Sequence, residues 1–171
     1  SGAVAPRREW VPCDELIGAV LVRFERELGA RPVVTDIKPS VAYLNVDPVL
    51  FGQLLSNLVE NAIKYTPPES TIEIAVEPSL RGVEIAVRDN GPGFPLGSET
   101  RVFERFFRGG EVGVRGSGLG LAIARAIAHV HDGEIAAFTR AGGGAIVTCT
   151  LPPEAASASP PGAVGGEGPP T

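Results

Sequence analysis

Three segments of the chain carry residue types that could bind a nucleotide, and one of them is a glycine run. GSGLGLAI places Gly116, Gly118 and Gly120 at alternate positions and then continues as an apolar helical pattern. Backbone amides at a helix N-terminus favour an anion such as phosphate. A dinucleotide loop needs GxGxxG directly after a strand, and a P-loop needs GK before Ser or Thr, so neither pattern fits. A glycine-rich loop before a helix remains, with or without a phosphate ligand.

The second segment is the helical stretch NLVENAIKY. Asn57, Asn61 and Lys64 are four and three positions apart, so they share one helical face, opposite an apolar side. Amide oxygens can ligate Mg²⁺, which takes few protein ligands beside the phosphates of a nucleotide. An ordinary solvated helix face is the alternative interpretation.

The third segment is DNGPGF, at 89–94. Asp89 follows Val87 at strand spacing, so its carboxylate is expected to point inward, where it needs hydrogen-bond donors. The exocyclic amine of adenine is such a donor, and Gly91 and Gly93 would let a flat base approach the backbone. Asn-Gly and Pro-Gly are also turn dipeptides, so a plain turn is the alternative.

Helices and strands must position these segments. Three helices are predicted, over 14–29 with Asp14 as its cap, from the N-cap and first-turn proline of Asp47-Pro48 through Ala62, and over 119–131. Six strands are predicted, over 32–37, 42–46, 72–76, 83–87, 134–139 and 145–151. An irregular stretch runs from 90 to about 116. This order predicts an α+β fold, a two-layer sandwich of a mixed sheet packed against helices.

Length and composition limit the remaining possibilities. The 171 residues suit one folded domain, over 10–152, with a leader or a boundary of a longer protein at 1–9 and a disordered Pro/Gly/Ala-rich tail at 153–171. A net charge of -5 gives no electrostatic footprint for nucleic acid. Cys13 and Cys149 lack the spacing of a disulfide scaffold or a zinc site. No apolar stretch approaches the length of a membrane helix.

The motifs together resemble a known family. In order and spacing, NLVENAIKYT, DNGPGF, FERFFRG and GSGLGLAIARAI are similar to the N, G1, F and G2 boxes of sensor histidine kinases. Their ATP-binding domain has the Bergerat (GHKL) fold with a flexible ATP lid, and the resemblance covers about 10–151. ENAIKYTPPE, FERFFRGG and ELGARPV most resemble the KdpD-type potassium-responsive kinases.

The resemblance implies ATP and Mg²⁺ as cofactors. Asn61 would be the Mg²⁺ ligand, Lys64 would reach the phosphates, and Arg108 could steady the γ-phosphate. The catalytic residues it implies are Asn57, Lys64 and Arg108. The nucleotide-binding residues it implies are Asn57, Asn61, Lys64, Tyr65, Asp89, Gly91, Gly93, Phe94, Arg108, Arg115, Gly116, Ser117, Gly118, Leu119 and Gly120. Phe103, Phe106 and Phe107 would anchor the lid; for Phe106 and Phe107, simple packing in the core is the alternative.

One departure within the fold family bears on the reaction. Gyrase-type and chaperone-type members carry a general-base Glu at the position of Asn57, so this site should hold ATP without rapid hydrolysis. His131 stands in His-Asp-Gly, where the family reads HGG at a helix end, so it is not expected to be a phosphoacceptor. The acceptor histidine would therefore lie outside this chain, on a separate dimerisation domain.

The resemblance implies a protein-histidine kinase domain that serves a response regulator and binds no nucleic acid. It would be the cytoplasmic part of a membrane-anchored bacterial sensor, homodimeric at full length and monomeric as this fragment. Two alternatives share the nucleotide site: a serine kinase of the anti-sigma-factor type, and a nucleotide-binding regulatory module without transfer.

Overall fold

The structure, a computed structural model, describes residues 5–94, 97 and 120–162. Its strands are β1 (Glu9–Pro12), β2 (Val33–Ile37), β3 (Tyr43–Val46), β4 (Ile72–Ser79), β5 (Gly82–Asp89), β6 (Glu134–Thr139), β7 (Ala145–Leu151) and β8 (Ala156–Ser157). Its helices are α1 (Cys13–Arg23), α2 (Glu25–Leu28), α3 (Pro48–Lys64) and α4 (Gly120–Val130), with short 3-10 turns at Pro39–Val41 and Pro153–Ala155. No helix in these ranges is long and apolar enough to cross a membrane.

A five-stranded mixed sheet forms one layer. Its order is β2-β4-β5-β7-β6, with β2 parallel to β4 and the other pairs antiparallel. Alternate residues face the helices, and one register row across the sheet is Ile74, Val87, Val147 and Ala137. These side chains share one core with the apolar sides of α1, α3 and α4. The predicted α+β sandwich is therefore confirmed.

A second, three-stranded sheet of order β1-β3-β8 was not predicted in full. Glu9 pairs with Val46, so the expected boundary at residue 9 falls inside a strand. The disordered tail was wrong at its start, because Ala155 is buried and Ala156 pairs with Leu44. Pairing with β3 satisfies the backbone of a segment whose composition offers little apolar surface. Residues 163–171 lie outside the described part of the chain.

The first predicted helix is two helices, and its cap was wrong. Pro12 occupies the N-cap position, without a side-chain capping bond. It ends β1, where it pairs with Tyr43, and the chain turns into α1 at once. Asp14 lies in the first turn instead, where its charge complements the helix dipole. Phe24 separates α1 from α2 with φ −102° and ψ 14°, which is not a helical conformation.

Helix α3 begins where the sequence predicts. Asp47 Oδ1 accepts hydrogen bonds from the backbone N–H groups of Val49 and Leu50, at 3.0 and 3.1 Å. Its Oδ2 accepts from the Arg7 N–H at 2.9 Å. One carboxylate thus caps the helix and fastens the chain that leads into β1.

His131 closes α4 and joins it to α3. Its Nε2 accepts from the Asp47 N–H at 3.0 Å, and its Nδ1 lies 2.8 Å from the Ile127 carbonyl. The carbonyl can only accept and the amide can only donate, so Nδ1 carries the proton. Asp132, with φ 58°, and Gly133 complete a Schellman ending through the carbonyls of His129 and Ala128. The predicted helix-ending role of His131 is confirmed.

We expect Asp47→Ala to lower the free energy of unfolding by about 1 kcal/mol at pH 7, because α3 loses its cap. The hydrogen bond from the Arg7 N–H, aided by the capping amides, holds the pKa of Asp47 below its usual value of 3.8. Its stabilisation is therefore present above that value and is lost as the pH falls through the lowered pKa. Urea unfolding at pH 7 and below pH 3 measures both effects. Asp47→Asn keeps a capping oxygen, and an equal loss in both variants would contradict the capping role.

Candidate functional site

The middle of α3 faces the start of α4. Asn57 is half-buried, and its Nδ2 is buried without a hydrogen-bond partner among the described residues. A Cβ added to Gly120 would lie 3.9 Å from both Cβ and Cγ of Asn57. A buried donor left unpaired costs roughly 1–3 kcal/mol. The amide of Asn57, beside the first residue of a helix, therefore fits an acceptor such as a phosphate oxygen.

Asn61 and Lys64 follow on the same helix. Asn61 is half-buried, and within the described ranges its side chain makes no hydrogen bond. Lys64 Nζ pairs with Glu60 Oε1 at 3.0 Å, and both side chains are at least one-third exposed. Such a pair contributes only about 0.3–0.5 kcal/mol, so a phosphate could replace the carboxylate. Tyr65 is half-buried at the C-cap, where its N–H donates to the Asn61 carbonyl.

Asp89 ends β5 opposite Ile72 and is only 6% exposed. It lies on the inner face, as strand spacing predicts. Its Oδ1 accepts from the N–H groups of Gly91 and Ala145, at 2.9 and 3.2 Å. Burial raises the pKa of Asp89, while these two hydrogen bonds and the charge of Arg140 oppose the shift. Its Oδ2 makes no hydrogen bond to a described residue and is the oxygen left for a ligand.

The β6–β7 hairpin supports Asp89 in a way that the sequence reasoning missed. Arg140 Nη1 donates to the Asp89 carbonyl at 3.0 Å. Gly144 has φ +104°, and a Cβ there would overlap that same carbonyl oxygen. Only glycine therefore lets the Ala145 N–H reach the carboxylate. The run of glycines at 142–144 between two strands was the available signal.

Thr66 joins the end of α3 to the DNGPGF turn. It is buried, and its Oγ1 donates to the Ala62 carbonyl at 2.6 Å. A Cβ on Gly91 would lie 2.7 Å from Thr66 Cγ2, so the turn packs directly against the helix end. From Asn57 to Lys64, its last residue, the helix rises about 10 Å, at 1.5 Å per residue. The two ends of the site therefore suit an elongated ligand.

The remaining predicted residues divide into two groups. Gly93, with φ +81°, lies against Gly144, and Phe94 is half-buried against the core. The other implied lid residues lie outside the described residues: Phe103, Phe106, Phe107, Arg108, Arg115, Gly116, Ser117, Gly118 and Leu119.

The described part of the chain lacks a cluster of the usual metal-ligating side chains, and its two thiols are buried. It contains no group of three or more His, Cys, Asp or Glu side chains that could hold a metal ion. A Mg²⁺ in this site would depend on an amide oxygen such as that of Asn61, together with phosphate oxygens. Cys13 and Cys149 are free and buried, and burial raises the pKa of each thiol to about 12. Both are protonated, unreactive thiols at neutral pH.

Comparison with known proteins assigns the class. Residues 46–155 match the model of the histidine kinase-, DNA gyrase B- and HSP90-like ATPases. The chain belongs to this ATPase family. Within it, the chain is homologous to sensor histidine kinases, which confirms the resemblance of the four motifs.

Three relatives illustrate this homology. The sensor protein KdpD of Escherichia coli K12 is 40% identical over 157 residues, which cover 91% of this chain and 17% of KdpD. The mycobacterial sensor histidine kinase MprB superposes with a TM-score of 0.76 at 29% identity, covering 84% of this chain and 97% of that structure. Histidine kinase ThkA, solved in complex with response regulator protein TrrA, gives 0.70 at 28% identity, covering 86% and 42%. The chain thus spans less than a fifth of the length of KdpD.

We expect Gly91→Ala to lower the free energy of unfolding by about 1–3 kcal/mol, because its Cβ would overlap the Thr66 methyl. Thr66→Ser removes that methyl and keeps the hydroxyl that bonds Ala62. The double variant should therefore be more stable than the sum of the single losses predicts, by at least about 0.5 kcal/mol in a urea-unfolding cycle. Gly18→Ala is the matched control, because no atom lies within 4 Å of its added Cβ. Strictly additive losses would contradict the contact.

Proposed function

We propose that this chain binds Mg-ATP and transfers the γ-phosphoryl group to a histidine on the dimerisation domain of the same sensor kinase. A response-regulator aspartate would then receive it. The observation that carries the proposal is the placement of Asp89 beside the end of α3, with Asn57, Asn61 and Lys64 along that helix. One helix therefore connects an acceptor suited to a base with donors suited to phosphates.

The end of the site at Asp89, here called the base end, is assigned to recognition of the nucleotide base. Because Oδ1 is held by two backbone amides, Oδ2 has a defined direction and accepts from the exocyclic amine of adenine. Gly91 and Gly93 let the turn pack closely against Thr66 and Gly144 beside the base, and Tyr65 and Phe94 provide apolar surface for it. The short contacts around Gly91 support a rigid pocket at this end.

The end of the site between the middle of α3 and the start of α4, here called the phosphate end, is assigned to binding of the phosphate chain. The unpaired Asn57 Nδ2 donates to a phosphate oxygen, and Lys64 exchanges Glu60 for the phosphate chain. Asn61 presents its amide oxygen to Mg²⁺, which when bound neutralises charge on the phosphate oxygens. The lid residues proposed to complete this end are Arg108, Arg115, Gly116, Ser117, Gly118, Leu119 and Gly120.

Transfer is favoured over hydrolysis because the described residues of α3 offer no base to activate water beside Asn61. An amide at Asn57 cannot take a proton, and Glu60, which Lys64 would release on binding phosphate, points about 100° away from Asn61 around the helix. In the proposed reaction an imidazole nitrogen of the acceptor forms the N–P bond. The bond from phosphorus to the β,γ-bridging oxygen breaks, ADP leaves with its electron pair, and the imidazole proton departs outside this chain.

The acceptor and the partners come from outside this chain. His131 cannot accept phosphate, because both of its ring nitrogens are occupied within the fold. The ThkA–TrrA complex supports a response regulator as the downstream partner. Similarity to KdpD supports potassium or osmotic signalling by a membrane-anchored, homodimeric full-length protein.

Labelled ATP tests this function directly. The chain is mixed with γ-³²P-ATP and the purified histidine-bearing domain of its own full-length protein, and acid-labile, base-stable label is expected on that histidine. Acid-stable label on serine would instead indicate the anti-sigma-factor type of kinase. ATP binding without any transfer would indicate a regulatory module. In a separate binding titration, Asn61→Asp should change the Mg²⁺ dependence of ATP affinity, and an unchanged affinity would overturn the metal assignment.

Asp89→Asn tests the base end. The Asn oxygen keeps both amide hydrogen bonds, but its NH₂ group replaces Oδ2 and confronts the adenine amine with a second donor. We expect ATP affinity to fall about 10- to 100-fold, the cost of an unpaired buried donor. Inosine triphosphate carries a carbonyl at that position and should lose much less. Calorimetric titration with both nucleotides measures the difference, and equal losses would contradict the assigned contact.

The same variant has a predicted effect on stability. Because the pKa of Asp89 is raised in the folded state, its protonated carboxyl contributes to stability. This contribution is complete below the ordinary pKa of 3.8 and is lost as the pH rises through the raised pKa. Asn does not ionise, so its stability relative to the wild type should increase between pH 4 and pH 7. Urea unfolding at the two pH values shows the sign.

A further inference from the structure

Arg31 lies in the loop between α2 and β2 and binds backbone carbonyl groups from two helices. Its Nη1 donates to the Glu27 carbonyl at 3.1 Å, at the end of α2. Its Nη2 donates to the carbonyls of Ile63 and Thr66, at 3.1 and 3.0 Å. The guanidinium is half-buried, and the structure offers its buried Nε no partner within the described ranges. Arg31 therefore fastens the end of α3 to the preceding loop.

These contacts complete the termination of α3. The last carbonyls of a helix have no partner within the helix. Here the Asn61 carbonyl accepts from the Tyr65 N–H, and the Ala62 carbonyl accepts from Thr66 Oγ1. The Ile63 carbonyl accepts from Arg31. A cation at this position is also favoured by the helix dipole.

The same residues continue into the base end of the site. Arg31 holds the Thr66 carbonyl, and the methyl of Thr66 is the group that a Cβ on Gly91 would overlap. The Gly91 N–H in turn donates to Asp89 Oδ1. Arg31 thus reaches the Asp89 carboxylate through Thr66 and Gly91, without contributing an atom to the pocket.

We propose that Arg31 is a positioning residue for base recognition. It sets where α3 ends, Thr66 transmits that position to the Gly91 turn, and the turn aims Asp89 Oδ2. The two terminal nitrogens of the arginine fork reach carbonyls of two separate elements at once, whereas lysine would offer a single nitrogen. The assignment deepens the proposed function, because the base is adenine only if that function holds.

The test compares nucleotide preference in Arg31→Met, Arg31→Lys and the wild type by calorimetric titration. We expect Arg31→Met to reduce the preference for ATP over inosine triphosphate about tenfold and to leave the ratio of ATP to ADP affinity unchanged, because only the base end moves. Arg31→Lys should recover a small part of the preference. Asp47→Ala, which weakens the opposite end of α3, should change neither ratio. If the Arg31 variants alter stability but keep the base preference, the proposal is overturned.

Hydrogen exchange at the amides bonded to Asp89 tests the role of Arg31 independently of which nucleotide binds. The Gly91 and Ala145 amides, both bonded to Asp89, should exchange at least tenfold faster in the two Arg31 variants than in Asp47→Ala. Unchanged exchange would overturn the positioning role whatever the ligand is. A wild type without preference for ATP over inosine triphosphate, combined with accelerated exchange in the variants, would overturn the adenine assignment and leave the role of Arg31 intact.

Discussion

The structure depends on the burial of one carboxylate at the end of β5. Asp89 cannot be buried without donors, and the two it has come from Gly91, two residues later, and from Ala145 in the distant β6–β7 hairpin. The Gly91 donor requires a turn without a side chain against Thr66, and the Ala145 donor requires Gly144 to pass the Asp89 carbonyl. Satisfying one acid therefore brings three separate segments together and leaves one of its oxygens for a ligand.

Helix α3 connects the Asp89 end of the site with the Asn57 end, and the two ends differ in how many of their polar groups are already paired. Near its end, Oδ1 of Asp89 and the last helical carbonyls have partners, whereas at its middle the Asn57 amide lacks one among the described residues. The ammonium of Lys64, the last residue of α3, holds only a weak, exposed pair with Glu60. In the proposed function the Asp89 end would be organised before a ligand arrives, and the Asn57 end would gain most of its hydrogen bonds on binding. A preorganised end selects the ligand at low entropic cost. The adaptable end can accommodate a phosphate group that leaves during the reaction.

The family unites proteins that hydrolyse ATP with proteins that transfer its phosphate, and in the proposed mechanism a single position separates the two. In that mechanism an amide rather than a carboxylate at Asn57 removes the general base, and the neighbouring acid Glu60 points away from Asn61 around the helix. Positioning and charge stabilisation remain, which is most of what phosphoryl transfer needs. Both ring nitrogens of His131 are hydrogen-bonded within the fold, one to the Asp47 N–H and one to the Ile127 carbonyl. In the proposed mechanism the nucleophile therefore comes from outside this chain.

The sequence by itself determined what depends on near neighbours. The Asp47-Pro48 start of α3, the shared face of Asn57 and Asn61 and the inward side of Asp89 follow from capping and from residue spacing, and the order of four motifs identified the family. Only the tertiary structure decided the rest: strands β1 and β8, the division of α1 from α2 at Phe24, and the contacts of Arg31. The two strands and the Arg31 contacts depend on partners tens of residues away, such as Ile63 for Arg31. No local pattern records which backbone groups will lie within reach once the core has packed.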